Sequence, residues 1–313
     1  MRCVLVYNSV SGRKRDRQGQ LRSIVDALTS LGHQAELVPT TAPGSATLQA
    51  QEAVRDGAEV VFACGGDGTI HEVVQALVSE SGKPTTALGI IPLGSANALA
   101  RHLRLSLDPM TAALEQIHSV PQLASVGKVQ FNGQVRYFTV MAGAGPDGAL
   151  VYDQLTAQKS RLGRMAYYLR AARLYMTRRF PAFEVEYTEA ASGNLVTRRA
   201  VSAMAVRVGD LGGLFSKLVA RDTGIHDAHL QLVLVGPPAW LSLPLWFICG
   251  WMNLHGLNRF LHSNAVTRFS CRPLSDPPPH FQADGEWLGR IPIEVSLVPN
   301  ALRILIPDED RKL

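Results

Sequence analysis

Short apolar runs alternate with amphipathic stretches over the first 120 residues, a pattern that predicts strands followed by helices. In the amphipathic stretches apolar residues recur every three to four positions, as on the buried face of a helix, whereas the apolar runs are short and bounded by turn residues. Strand–helix alternation at this spacing is typical of a parallel sheet with helices on both faces. The predicted strands are Val4–Tyr7, Ala35–Val38, Ala58–Ala63 and Ala87–Ile91, and the predicted helices cover 18–31, 45–56, 70–79 and a stretch from near Ala96.

The pattern changes after about residue 122 to β-rich runs separated by turn residues. Such runs predict an antiparallel sheet pair or sandwich, interrupted here by two helical stretches at 159–180 and 240–261. The predicted fold class is therefore an α/β N-terminal domain with a parallel sheet, followed by a mostly β C-terminal sandwich domain. The predicted domains are residues 1–122, to which residues 300–313 are a candidate addition, and residues 123–299.

Composition and charge narrow the function classes only slightly. Hydrophobic residues make up 46% and charged residues 18%, as in ordinary globular proteins. A net charge of +5 suits anionic partners but is too mild to indicate nucleic acid, so no nucleic-acid partner is expected. The four cysteines are scattered without metal spacing, which favours free thiols in a reducing compartment. With no secretory apolar region at the N-terminus, we expect a cytoplasmic protein.

Three turns rich in Gly or Asn follow predicted strands, and each leads towards a helix N-terminus. In an open parallel sheet ligands bind beyond the carboxyl ends of the strands, where free N–H groups and the helix dipole favour an anion. Thr69 and Ser95 add hydroxyl donors to these turns. Three such turns at one edge of a sheet predict a polyphosphate site. The turns are Asn8–Gly12, Gly65–Thr69 and Pro92–Asn97.

Asp67 lies in the middle of the second turn, where a carboxylate would repel a phosphate. We expect it either to face a divalent ion or to hold the loop by accepting N–H groups, and a purely local turn-forming role stays open. No GxxxxGK[ST] segment occurs, which excludes a P-loop enzyme. A GxGxxG pattern from Gly143 to Gly148 contains Pro146, which lacks an N–H, and lies outside the α/β region, so it is rejected as a dinucleotide motif.

Two further acids, Asp284 and Glu286, flank one Gly at the end of a β run. Such a pair can act as general base and metal ligand. It can equally be a hairpin turn, because Asp-Gly is a common hairpin signal, and from spacing alone the hairpin is favoured.

Together these segments resemble the diacylglycerol kinase catalytic-domain superfamily of lipid kinases. GGDGT alone is shared with NAD kinases and phosphofructokinases, so the resemblance rests on the whole set in its order along the chain. It implies a two-domain fold and transfer of the γ-phosphoryl group of ATP, with Mg²⁺, to a lipid hydroxyl. A diacylglycerol-like acceptor is expected first and a sphingoid base second. The matching segments are NSVSG (8–12), GGDGTIHEVVQAL (65–77), PLGSANALAR (92–101) and DGE (284–286).

The resemblance also implies roles for individual residues. Asp284 and Glu286 would supply the general base and a Mg²⁺ contact, with Asp67 as the third acid of the catalytic set. The residues implied to hold the nucleotide are Asn8, Ser9, Val10, Ser11, Gly12, Thr40, Gly65, Gly66, Asp67, Gly68, Thr69, Ile70, His71, Ser95 and Asn97.

At some motif positions this sequence has a different residue from the one that is usual in the family. Ser9, His71 and Ala98 stand where Pro, Asn and Asp are usual, and the wording around His71 looks more like the sphingosine kinase branch. The segment GPDGALVYD is similar to the region where that branch uses an Asp to hold the lipid head group. That similarity makes Asp147 a candidate for the acceptor site, with a loop-capping Asp as the alternative.

The second departure concerns a structural Mg²⁺ site, which bacterial members of the family hold near a D-D-G-x-x-D segment. The corresponding residues here run from Asp222 to Asp227, and Thr223 replaces the acid before the Gly. Asp222 and Asp227 are therefore the remaining implied ligands, and the site is in doubt.

A lipid acceptor must be taken from a bilayer, and two segments suit that task. Residues 159–180 carry seven cations and no acid, with apolar residues on one helical face, a pattern attracted to anionic lipid head groups. Trp240–Leu254 offers Trp and Leu side chains for the headgroup boundary, but it is short for a span and contains Pro244 and Gly250. Either segment could instead cover the β core.

We therefore expect peripheral membrane association, with the lipid substrate and anionic head groups as partners and a homodimer left open. Two rival classes stay open: an NAD kinase, and a regulator that binds nucleotide or lipid without turnover.

Overall fold

The computed structural model of the chain describes residues 1–8, 17–156, 174, 178–209, 223–252 and 258–307. The chain divides into two compact units. The first contains Met1–Val126 and the described residues from Val298 onwards, and the second contains the described residues between Gly127 and Leu297. The sequence pattern puts the domain boundary after residue 122, and the chain leaves the first unit after Val126.

A parallel sheet with helices forms the first unit, as the α/β prediction requires. Neighbouring strands run parallel in the order β15, β4, β3, β1, β2. The strands are β1 (Arg2–Tyr7), β2 (Gln34–Pro39), β3 (Val60–Gly65), β4 (Ala87–Pro92) and the end of β15 (Ile293–Leu305). The helices are α1 (Arg17–Ser30), α2 (Ser45–Arg55), α3 (Asp67–Leu77), α4 (Ala98–His102) and α5 (Pro109–Ile117).

Burial explains why these segments form strands and helices. Every residue of β3 and β4 is buried, as expected for central parallel strands covered on both faces. The edge strand β2 has no fully buried residue. Helix α1 buries Leu21, Ile24 and Leu28, a spacing that places all three on one face against the sheet. The apolar pattern did not predict helix α5, which begins with Pro109. The Asp108 carboxylate caps this helix by accepting a hydrogen bond from Thr111 N (2.9 Å).

The strand order creates a switch point at the centre of the sheet. The chain passes from β1 outwards to β2 on one side, and from β3 outwards to β4 on the other. The loops after β1 and β3 therefore diverge from adjacent strand ends, the position where open α/β sheets bind ligands.

Antiparallel strands make up most of the second unit. A path of hydrogen-bonded strands runs β14, β13, β7, β10, β11, β12, while β8 pairs with both β12 and β9, and β5 pairs with β6. The strands are β5 (Pro121–Phe131), β6 (Gln134–Phe138), β7 (Met141–Ala144), β8 (Phe183–Glu189), β9 (Leu195–Ala200), β10 (Ser202–Val206), β11 (Leu230–Val235), β12 (Leu261–Pro273), β13 (His280–Ala283) and β14 (Glu286–Arg290). Two helices accompany them, α6 (Pro146–Thr156) and α7 (Ala239–Trp251).

Strand β12 organises this unit, because its first half pairs with β11 and its second half pairs with β8 and β15, with an irregularity between Val266 and Arg268. Aromatic side chains fill the core beneath these strands, among them Phe138, Phe183, Tyr187 and Phe281. The prediction of a mostly β second domain is confirmed.

Two sequence-based helix predictions differ from the structure. The helix predicted over 240–261 is α7, which ends at Trp251, and Leu261 at the end of the predicted stretch pairs with β11. The helical stretch predicted at 159–180 lies mostly outside the described residues; within it, Leu174 is buried against Leu150 of α6. Among the helices the structure describes, none is both long and apolar enough to cross a membrane.

The last strand, β15, joins two runs that the sequence pattern separates. Glu294 pairs with Ser270 of β12 in the second unit, whereas Arg303 pairs with Ala87 of β4 in the first. One continuous strand therefore leads the chain from the second unit back into the first.

Candidate active site

The predicted phosphate-binding turns lie at one edge of the parallel sheet. Tyr7 at the end of β1 is level with Cys64 of β3, and Gly65 is level with Pro92 of β4. Thr40 N donates to Tyr7 O (2.8 Å) just beyond β2, and Leu93 N donates to Gly65 O (2.8 Å). Asn8, Thr40 and the turns after β3 and β4 thus share the carboxyl edge of the sheet. Ser9, Val10, Ser11 and Gly12 lie outside the described residues.

Asp67 ties the turn after β3 to the turn after β4. Its Oδ2 accepts Asn97 N (3.0 Å) and its Oδ1 accepts Ala98 N (2.7 Å), at the N-terminus of α4. These bonds match the expectation that Asp67 holds a loop by accepting N–H groups. Its predicted contact with a divalent ion stays a prediction.

Asn97 fixes the second of these turns from within. The residue has a φ of 50°, its Oδ1 accepts Gly94 N (3.0 Å) and its Nδ2 donates to Gly94 O (3.1 Å). The Asn97 side chain is 5% exposed, so its implied role towards the nucleotide is to shape the turn. Ser95, by contrast, is exposed in the same turn.

Glycines let the two turns approach closely. A Cβ added to Gly94 would lie 2.5 Å from Gly66 Cα, and one added to Gly65 would lie 2.2 Å from Thr69 Oγ1. Packing within the chain therefore accounts for these three glycines.

Gly68 differs, because it is exposed and, outside its own helix backbone, no atom of the described residues lies within 4 Å of where its Cβ would be. The first turn of α3 thus presents bare backbone to open space, where a helix N-terminus can receive an anion.

Arg17, which the sequence prediction missed, brings a guanidinium to the same edge. Its Nη2 donates to Leu93 O (2.8 Å), while its Nε and Nη1 are buried and have no hydrogen-bond partner among the residues that the structure describes. Buried donors are rarely left without an acceptor, so an anion at this edge would complete the site. The sequence signal was weak, since Arg17 is one of four cations in the run RKRDR.

Three residues implied to hold the nucleotide lie inside the first unit. Thr69, Ile70 and His71 are 7%, 1% and 2% exposed. Ile70 N donates to Gly66 O (3.2 Å) as part of the helix, so neither its amide nor its side chain faces a ligand. The inclusion of Ile70 and His71 therefore rests on the resemblance alone, and Ile70 packs in the core.

In the second unit, Asp284 and Gly285 form the turn of the β13–β14 hairpin. Their φ values are 48° and 82°, as a type I′ turn requires, so the hairpin predicted from Asp-Gly is confirmed. The Asp284 carboxylate accepts four hydrogen bonds, as many as its lone pairs allow. The donors are Thr139 N (2.8 Å) and Thr139 Oγ1 (3.2 Å) on Oδ2, and Val140 N and Met141 N (both 2.9 Å) on Oδ1. Glu286, on the other side of the turn, is exposed.

Asp147 lies near this hairpin, in the first turn of α6. Gln282 Nε2 donates to Asp147 Oδ2 (2.5 Å), and Gln282 Oε1 accepts Gly285 N (2.8 Å), so the amide links the carboxylate to the turn. Burial of the carboxylate raises the pKa of Asp147 to about 6, and the bond from Gln282 opposes the shift.

The rejected GxGxxG pattern is explained by packing around Asp147. A Cβ on Gly143 would lie 2.2 Å from Asp147 Oδ2, and one on Gly148 would lie 2.5 Å from the backbone of His280. These glycines let α6 pack against β7 and β13.

An aromatic group that the sequence prediction missed supports the hairpin from its flank. The His280 ring stacks on Tyr152 with centroids 4.5 Å apart, and Trp287 Nε1 donates to His280 Nδ1 (3.1 Å). Burial, followed by the positive charges of Arg290 and Arg178, lowers the pKa of His280 to about 4. His280 is therefore neutral at pH 7.

The implied structural Mg²⁺ site stays a prediction, because Asp222, one of its two implied ligands, lies outside the described ranges. Asp227 Oδ2 accepts Gly224 N (2.7 Å), and no group of three His, Cys, Asp or Glu side chains converges where the structure describes the chain. The buried Arg207 donates to the carbonyls of this turn. These acceptors are Ile225 O (2.8 Å), His229 O (2.7 Å) and Asp227 O (3.3 Å).

A guanidinium thus supplies positive charge inside the turn where the resemblance implied a metal. Burial lowers the pKa of Arg207 to about 10, and the neighbouring Asp227 raises it, so the group stays charged at neutral pH.

Known proteins with the same architecture also share sequence with this chain. The family model of the diacylglycerol kinase catalytic domain matches residues 2–129. Diacylglycerol kinase of Bacillus subtilis (strain 168) is 33% identical over 235 residues, which cover 75% of this chain and 73% of that protein. Diacylglycerol kinase of Staphylococcus aureus (strain bovine RF122 / ET3-1) is 29% identical over 311 residues, 98% of this chain and 93% of that protein.

Solved structures extend the likeness to the whole fold. The crystal structure of a diacylglycerol kinase from Bacillus anthracis str. Sterne superposes with a TM-score of 0.70 at 19% identity, covering 99% of this chain and 97% of that one. At that identity the likeness establishes the fold.

Proposed function

This chain belongs to the diacylglycerol kinase family and is a lipid kinase, and from that premise we propose that it transfers the γ-phosphoryl group of ATP to the hydroxyl of a diacylglycerol-like lipid. The observation that supports the use of a nucleoside triphosphate is the carboxyl edge of the sheet in the first unit. There the exposed turn at Gly68 and the buried N–H groups of Arg17, which have no acceptor within the described ranges, offer donors to phosphate oxygens. Positioning and charge neutralisation are most of what phosphoryl transfer requires.

Mg²⁺ would accompany the nucleotide rather than occupy a cage made by the protein. Among the described residues no three metal-ligating side chains lie close together, and each carboxylate oxygen of Asp67 already accepts a hydrogen bond from a backbone N–H group. Mg²⁺ bound with nucleotides commonly takes one or two carboxylates and relies on phosphate oxygens and water for the rest. The residues present fit such an ion, with Asp67 as its candidate protein ligand in the first unit.

In the second unit the two acids of the hairpin would divide the tasks. All four lone pairs of Asp284 accept hydrogen bonds from residues 139–141, so we assign Asp284 to positioning the hairpin. The exposed Glu286 would take the proton from the acceptor hydroxyl as the new bond forms. Asp147, largely charged at pH 7 with its pKa of about 6, would accept a hydrogen bond from the acceptor's head group.

The lipid would be reached through peripheral contact with a membrane. Helix α7 exposes an apolar stripe, and its exposed members lie four residues apart, on one face: Trp240 (78% exposed), Ile248 (57%) and Met252 (60%), with Pro244 between them. Its opposite face buries Leu243, Trp246 and Cys249. An exposed apolar stripe that begins with Trp suits the headgroup boundary of a bilayer.

Phosphate transfer from labelled ATP with Mg²⁺ tests the proposal in mixed micelles that contain diacylglycerol, sphingosine or neither, with NAD as a soluble acceptor. We expect labelled diacylglycerol. Because hydrogen bonds to charged groups are worth about 1.5–3 kcal/mol, Arg17→Gln should raise the KM for ATP at least about tenfold. Arg22→Gln, an exposed arginine on the same helix, is the matched control and should leave the KM unchanged.

Each of the other outcomes of this assay would indicate a different function. Label in sphingosine would move the acceptor to the sphingoid class, and label in NAD would overturn lipid transfer. ATP binding without any labelled acceptor would favour the non-catalytic regulator.

A further inference from the structure

A cavity of about 320 Å³ lies in the second unit, and its lining includes His280 and Arg290 at the outer ends of β13 and β14. Three arginines line it together with an apolar wall that contains Phe180 and three consecutive prolines. The arginines are Arg178, Arg179 and Arg290, and the prolines are Pro277, Pro278 and Pro279. None of these residues belongs to the nucleotide or acceptor groups assigned above.

The lining carries a net positive charge. Three arginines against Asp276 in the lining and Asp153, which pairs with Arg178, give 3 − 2 = +1, and His280 adds nothing at pH 7 because its pKa is lowered to about 4. Burial is the main cause of that shift, the positive charges of Arg290 and Arg178 add to it, and the negative charge of Asp153 opposes it. An anion is therefore the ligand that this charge would attract.

Two of the three arginines are held in place by other parts of the unit. Arg178 Nη2 lies 2.9 Å from Asp153 Oδ1, and Arg290 Nη1 donates to Pro278 O. Arg179 is exposed beside them. Fixed guanidinium groups lose little conformational freedom on binding, which favours affinity. The proline run makes its own part of the lining rigid.

We propose that this cavity binds a phosphate ester through Arg179 and Arg290, with its apolar wall against the glycerol part of a phospholipid head group. Guanidinium forks match phosphate oxygens in pairs. The volume is at the lower end for ligand sites, enough for a head group and too small for two acyl chains. This inference deepens the membrane association proposed above, and it requires neither ATP nor turnover.

Sedimentation with vesicles tests the site on the full chain without nucleotide. Vesicles of phosphatidylcholine alone are compared with vesicles that also contain phosphatidylglycerol, and we expect binding to be about tenfold tighter to the anionic vesicles. Arg179→Gln and Arg290→Gln should each remove most of that gain. The matched control is Arg199→Gln, an exposed arginine of β9 in the same unit and outside the cavity, which should change the affinity less than about twofold.

The variants also distinguish paired hydrogen bonds made by a guanidinium group from attraction by its positive charge alone. Arg290→Lys keeps the charge but loses the paired donors, so it should fall between Arg290 and Arg290→Gln. Equal losses in all three Gln variants would show attraction by net charge alone and overturn the site. Unchanged binding by Arg179→Gln, an exposed position where folding is not at risk, would overturn it as well.

Glycerol 3-phosphate distinguishes the source of the phosphate. If it binds as tightly as the vesicles and with the same sensitivity to Arg179→Gln, the cavity takes a soluble phosphate ester and the lipid assignment is overturned. Weak binding of glycerol 3-phosphate supports the head group. Loss of label transfer in the kinase assay leaves these binding results unaffected, so failure of the proposed function and failure of this site are distinguishable.

Discussion

Replacing Asp284 by alanine removes the acceptor of four hydrogen bonds at the junction of β6 and β7. Thr139 and Val140 are 5% and 7% exposed, so their N–H groups would stay buried without an acceptor. Met141 is partly exposed, and the Thr139 hydroxyl can rotate towards another partner. The cost therefore comes mainly from two buried N–H groups.

At 1–3 kcal/mol for each unsatisfied buried donor, the loss for Asp284→Ala should be about 3 kcal/mol. For a unit of this size that corresponds to a decrease in Tm of roughly 6–12 °C. Glu286→Ala changes an exposed residue and should cost less than about 0.5 kcal/mol while lowering turnover. Thermal unfolding followed by circular dichroism, with lipid phosphorylation on the same samples, measures both quantities.

Hydrogen exchange at residues 139–141 gives a local readout. These amides should lose protection in Asp284→Ala and keep it in Glu286→Ala. Asp284→Ala with an unchanged Tm and abolished turnover would refute the positioning role and make Asp284 the general base. Full turnover by Glu286→Gln would remove Glu286 from that role.

Four further substitutions should change the stability of the fold or the affinity for ATP, and the effect of one of them should depend on pH. Gly94→Ala should lower the Tm and weaken ATP binding, because its Cβ would meet Gly66 Cα at 2.5 Å. Gly68→Ala has no such clash, so it should raise helix stability by up to about 1 kcal/mol yet weaken ATP binding in calorimetry; unchanged affinity would count against phosphate approach at that turn. The pKa of Asp147 is raised in the folded chain from 3.8 to about 6, so the folded state binds the extra proton and stability falls as the pH rises through that interval. Asp147→Asn should therefore be about 3 kcal/mol more stable than the parent at pH 8, and the difference should vanish below pH 4 in urea unfolding at a series of pH values. Arg207→Met would leave the carbonyls of the 225–229 turn without their donor and should cost about 3 kcal/mol, whereas a chain with unchanged Tm would show that the turn does not depend on Arg207.

Local signals explain what the sequence predicted well. The strands of the first unit are short apolar runs that end in turn residues, and the Asp-Gly hairpin depends on two adjacent residues that tolerate positive φ. Each signal lies within a few neighbouring positions and needs no knowledge of the rest of the chain.

Contacts between distant residues explain the rest. Asp284 bonds to residues up to 145 positions away, and Arg17 reaches Leu93 across 76 positions. Nothing in the local pattern of either residue identifies its partner. The start of β12 at Leu261, inside the stretch predicted as a helix, was missed for the same reason, because Leu261 pairs with the distant Val235.

The course of β15 has a consequence for the order in which the protein can fold during synthesis. Residues 298–305, which complete the parallel sheet beside β4, leave the ribosome only after the whole of the second unit. Until then the nascent chain carries β4, ALGIIP, as a wholly apolar edge strand with unpaired backbone groups, the kind of edge that pairs with other chains. The first unit is begun first and finished last, so its vulnerability to aggregation lasts for the time that the ribosome takes to make the other unit.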